Sequence, residues 1–115
     1  MDAITPKTFE PEFQPNKGRK VSFLLKPLDL KGQYQLQVAL DEKGRPSWEG
    51  LQVAARYIVG WTGIAREDGA EVPFTRRAIT EVIEGGANTD WMIWLAMIAG
   101  RLYADSLLSE IERKN

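Results

Sequence analysis

Two close carboxylate pairs, Glu67/Asp68 and Glu81/Glu84, are the residues best suited by type and spacing to move a proton or hold a cation. The first leads into Gly69 as a turn, and the second sits late in a short helical stretch before Gly85-Gly86. Both are ordinary solvated positions. Asp68-Gly69 lacks the alternating oxygen ligands of a calcium loop, and no Lys-Ser/Thr follows Gly85-Gly86 as a phosphate loop requires. Arg76-Arg77, at a helix start, is a two-residue candidate for an anion. The chain has no histidine and no cysteine, which removes thiol nucleophiles, disulfides, Cys/His zinc sites and histidine proton relays. No catalytic residue, cofactor or metal is therefore expected, and function must come from surfaces.

The apolar residues carry more information. The four tryptophans all lie between positions 48 and 94. Trp48, Trp61 and Trp94 read as core, given the area each can bury. Trp91 and Met92 open the last helical stretch, and Trp and Met are favoured at contact surfaces. With Leu95 they form one set of protein-binding candidates. Phe9 and Phe13 form a second set, on a segment where Pro6, Pro11, Pro15 and Gly18 oppose helix and central strand. Residues 1–20 accordingly read as a flexible N-terminal arm, with 1–18 dispensable for folding, and residues 21–115 as a single α+β domain.

These candidates need elements to position them. Val21–Leu28 and Gln33–Leu40 read as an N-terminal β-hairpin turned by Asp29–Gly32. Tyr34, Leu36, Val38 and Leu40 alternate with Gln33, Gln35, Gln37 and Ala39, a strand's period of two. Ser47 can cap a helix to about Val59 with Trp48, Leu51, Ala55 and Ile58 on one face, closed by Gly60. Trp61–Ile64 reads as a short strand, reversed at Glu67-Asp68-Gly69 and returning through Val72-Pro73-Phe74. Thr75 caps a helix near Arg76–Glu84 with Ile79, Val82 and Ile83 inward. Thr89 or Asp90 starts a long C-terminal helix to about Glu112. Its first half, Trp91–Ile98, is apolar nearly all round, which predicts either a central position or a weak homo-oligomer. The expected class is α+β, a hairpin followed by a mainly helical region.

At 115 residues the chain suits one domain with its own core. Its 43% hydrophobic and 27% charged residues are ordinary for a globular protein and exclude a disordered or membrane composition. Net charge is −1, and residues 1–46 carry eight Lys/Arg against six Asp/Glu while 47–115 carry seven against ten. Neither half is polarised enough for a nucleic-acid surface. The longest nearly apolar run, Trp91–Gly100, is about half of a bilayer span, and the start does not resemble a signal sequence. A cytoplasmic protein with neither nucleic-acid nor membrane partners is expected.

Residues Tyr57-Ile-Val-Gly-Trp61-Thr-Gly-Ile64, then Glu67-Asp-Gly69 and Val72-Pro-Phe-Thr75, form a string. It resembles the apolar helix, Trp-x-Gly-apolar, Asp-Gly turn, Val-Pro-Phe-Ser/Thr, helix segment of small proteins from tailed bacteriophages and prophages, above all tail assembly chaperones. Phe23-Leu-Leu-Lys-Pro-Leu28 resembles their opening, and Leu102–Asn115 their terminal helix. The resemblance implies no chemistry. It implies a bacterial host's cytoplasm, virion assembly, and binding to other tail proteins such as the long apolar tape measure protein or the tail tube protein. The competing expectations are a structural tail or head–tail component of the virion, with Phe9 and Phe13 ordering on a neighbour, and a phage-encoded inhibitor or adaptor of a host protein.

Overall fold

Side-chain oxygens start three of the helices. Asp29 accepts from the Gly32 N–H at 2.7 Å and opens α1, Leu30–Ala39. Ser47 accepts from Gly50 at 3.4 Å and opens α2, Trp48–Arg56. Thr75 accepts from Ala78 at 2.9 Å and opens α3, Arg76–Gly85. Each pairing satisfies a donor that a helix N-terminus would otherwise leave orphaned. The last helix, α4, is Asp90–Lys114. The computed structural model describes residues 6–15, 19–40, 43, 45–65, 69–85 and 89–114, with side chains to Leu107 in α4.

Three strands, β1 (Lys7–Phe9), β2 (Ser22–Leu25) and β3 (Ile58–Thr62), form one antiparallel sheet in the order β1-β2-β3. The class is α+β with a long C-terminal helix, as expected. The register opposes Phe9 to Phe23 and Phe23 to Trp61, so one aromatic rung crosses all three strands. Beyond Trp61, Gly63 takes φ +82°, and a Cβ there would collide with the Lys20 carbonyl. Only glycine fits that exit. The chain reverses between bridged Ala65 and Glu71, with Gly69 at φ +88°; Glu67 and Asp68 lie outside the described residues.

Several expectations are corrected. Gln33–Leu40 is helical, within α1 apart from Leu40, because both edges of β2 are taken by β1 and β3 and Asp29 caps a helix. The antiparallel pair at the N-terminus is β1–β2. The proline-spaced arm supplies β1, and its Gln14 side chain donates to the Pro11 and Val21 carbonyls and accepts from Val21 N–H. The second helix stops at Arg56, so Ile58 and Gly60 belong to β3. Trp48 is half exposed and outside the core.

Candidate protein-contact surface

The all-round apolar half of α4 is split by packing. Trp91, Trp94, Leu95, Ile98, Ala99 and Leu102 are buried, a stripe at spacings of three and four. Trp91 lies 5.8 Å from Phe23, 5.5 Å from Trp61 and 5.2 Å from Trp94 between ring centroids. Trp94 meets Phe13 at 6.3 Å and donates its indole N–H to the Phe13 carbonyl at 3.0 Å. The sheet and the N-terminal segment thus cover this stripe, which gives α4 the central position.

The contact candidates therefore divide. Trp91 and Leu95 are core and present nothing to a partner in this conformation. Phe9 and Phe13 are partly buried against that core, with the Arg101 guanidinium 5.4 Å over the Phe9 ring. Met92 remains exposed, joined by Ile93.

A larger apolar surface lies on α1. On α1, Leu30, Tyr34 and Val38 stand one turn apart and are 83%, 66% and 63% exposed. Only Gly32 and Leu36 of this helix are buried. Gly32 admits Tyr57, whose ring occupies the space a Cβ would need, and Ala39 packs closely on Gly50 of α2. The helix thus docks through small residues and one leucine, leaving its other large apolar side chains outward. Exposed apolar residues scattered singly carry no meaning, whereas an aligned set of three makes a contiguous patch of the kind often used for contacts. Spacing of four from Leu30 was the available signal, masked by the alternation of Tyr34, Leu36 and Val38. Beside Leu30 lies a groove of about 610 Å³ between β1, the 25–30 segment and α4, floored by Phe9, Leu25, Leu28 and Leu102.

The polar residues are occupied in holding the fold. Arg76 donates to the carbonyls of Ala55 (3.3 Å) and Arg56 (3.2 Å) at the end of α2 and to that of Ile58 in β3, and Arg77 pairs with Glu81 at 3.2 Å. Arg76 is thus committed to backbone carbonyls, and a cation at the C-terminus of α2 is favourable there. Asp29 Oδ1 accepts both the Gly32 N–H and the Tyr57 hydroxyl, each at 2.7 Å. The tyrosine hydroxyl, then the Gly32 amide, holds the Asp29 carboxyl below its ordinary range. Burial, reinforced by that hydrogen bond, pushes the Tyr57 phenol up to about 12. No group of three potential metal ligands occurs among the described residues, and no helix there is long and apolar enough to cross a membrane.

No protein-family model, curated protein or solved structure matches this chain. The surfaces must be read from their own chemistry.

Proposed function

We propose that this protein acts without catalysis by binding other proteins, as a tail assembly chaperone of a tailed bacteriophage that holds an apolar tail protein of the tape-measure type. The observation carrying this reading is the apolar side chains left outward, Leu30/Tyr34/Val38 on α1 and Met92/Ile93 on α4. The string at 57–75 supports the phage assignment by resemblance; locally it builds β3, its glycine exit, the reversal and the α3 cap. The alternative of a virion component is weakened, since Phe9 and Phe13, the residues meant to order on a neighbour, pack on their own chain.

The test is co-expression with an apolar helical fragment of a phage tape measure protein that aggregates when made alone. The wild-type chain should keep the fragment soluble and co-purify with it, while Tyr34→Glu and Met92→Glu should each reduce recovery. A fragment that aggregates equally with and without the chain overturns the proposal, as does full recovery with both variants.

A further inference from the structure

We propose that the free edge of β1 takes up an extended peptide of a partner protein as a fourth strand, antiparallel to β1, with an apolar residue followed two positions later by an acidic one. This goes beyond the proposed function, which rests on the outward side chains of α1 and α4; Leu30 alone belongs to both surfaces.

In an antiparallel sheet, the backbone groups of successive residues point to opposite edges of their strand. On β2 the phase is fixed at both ends. Lys26 donates its N–H to the Tyr57 carbonyl at 2.9 Å, toward β3. At the other end, Gln14, in the segment that continues β1, takes both backbone groups of Val21. Residues 21, 23 and 25 thus face β1, which makes Lys7↔Leu25 and Phe9↔Phe23 the hydrogen-bonded pairs. The N–H and carbonyl of Thr8 point away from β2, and neither has a partner among the described residues. An open donor and acceptor on a sheet edge are a template for another strand.

Beside that edge there is room. Lys7 and Phe9 share a face with their partners Leu25 and Phe23, the face that packs on α4. The groove of about 610 Å³ left between β1 and α4 falls within the roughly 300–1,000 Å³ of ligand pockets. A strand laid on Thr8 turns the side chains before and after its central residue into this groove. In the antiparallel sense, that of the whole sheet, the first lies opposite Phe9 and the second opposite Lys7.

The lining then sets the two residue types. Phe9, Leu28 and Leu102 offer the first side chain an apolar floor. Three carboxylates line the groove, and each is engaged: Glu10 with Lys20 at 3.0 Å, Asp105 with Arg101 at 4.0 Å, and Asp29 with the Gly32 amide and the Tyr57 hydroxyl. Lys26 rests over the Tyr57 ring. Lys7 is exposed and has no counter-charge among the described residues. An acidic side chain opposite Lys7 supplies one, since opposite charges across a ladder attract and like charges repel. β1 is three residues long, so the ladder adds few hydrogen bonds and the two groove side chains carry the specificity.

The probe is a fluorescein-labelled, end-capped hexapeptide, Thr-Val-Leu-Thr-Glu-Thr, titrated with the purified full chain and read by anisotropy. Binding should saturate. Exchanging the Leu and Glu, or N-methylating the Thr between them, should each weaken it about tenfold, as for a buried polar group left without its partner. The N-methyl group removes the donor meant for the Thr8 carbonyl and leaves every side chain in place. Lys7→Glu, at an exposed position, should weaken binding about fivefold and regain it with Lys in place of the peptide's Glu. Met92→Glu, aimed at tail-protein capture, should bind the peptide as the wild type does. No binding at millimolar protein overturns the proposal. So does equal affinity for the exchanged or N-methylated peptide, full affinity in Lys7→Glu, or loss of binding in Met92→Glu. No tail protein is present in this titration, so its failure leaves the proposed function standing.

Discussion

Trp91 touches three other aromatic rings and is 8% exposed, whereas Met92, its chain neighbour, is 57% exposed. Trp91→Ala should therefore cost about 3–5 kcal/mol, as expected for removing a buried large aromatic, out of the ~5–15 kcal/mol that holds a typical domain. Met92→Ala should cost about 0.5 kcal/mol or less. Chemical denaturation of both variants reads the difference, and equal costs would remove Trp91 from the centre of the core. The Asp29–Tyr57 pair predicts how stability follows pH. Asp29 has a lowered folded pKa, so its contribution is present above the unfolded carboxylate range and is lost as pH falls through the lower folded value. Tyr57 behaves oppositely. Its contribution is intact below its ordinary 10.0 and lost as pH rises from there through about 12. Asn caps helices about as well as Asp but carries no charge. In Asp29→Asn, the acid-side loss measured by melts across pH should shrink while the α1 helix signal persists.

Among the elements, β1 changes the meaning of the N-terminal segment. Its pairing extends the sheet, its Phe9 completes the aromatic rung, and the following Phe13 carbonyl satisfies the Trp94 indole. Removing residues 1–15 would strip an edge from β2, uncover Phe23 and orphan a buried donor. The thermal midpoint should fall by more than about 10 °C, given that a domain of this size shifts roughly 4–8 °C per kcal/mol. An unchanged midpoint would mean that the segment rests on the core without contributing to it. α1 is the other element whose role depends on its neighbours. It is held by Asp29 at its start, by Tyr57 against Gly32 and by Ala39 on Gly50. These contacts fix which side of the helix is left outward.

The whole molecule measures 50 × 33 × 25 Å, elongated because α4, at 25 residues, alone runs about 37 Å. Net charge is −1, and α1 holds no acidic residue and one cation, Lys31. Capture of an apolar tail protein through the outward faces should therefore change little between about 0.05 and 0.5 M sodium chloride, since screening acts on charges and not on apolar burial. Sulfate should strengthen it, being excluded from protein surface. Co-purification in the two salts checks this, and a steep loss in sodium chloride would point to an ionic interface elsewhere on the chain.

Local chemistry was legible in the residues alone. Ser47 and Thr75 cap the helices they were expected to cap, the chain turns back after β3 before Val72-Pro73-Phe74, and α4 starts at Asp90. At Ser47 and Thr75 the cap pairs a side chain with a backbone group three positions on, so these helix starts followed from short spacings. Lack of cysteine and histidine, likewise, is settled by composition. The tertiary structure decided the rest. Residues 33–39 satisfy a strand's alternation and a helix's spacing of four together; the Asp29 cap and the β2 edges taken by β1 and β3 decide for a helix. Trp91 and Met92 are alike as apolar residues, and only the rung of Phe9, Phe23 and Trp61 decides which of them is covered. That rung joins residues far apart in the chain. A local pattern can show that a side chain is apolar, but which face of its element is buried depends on partners that only the folded chain brings together.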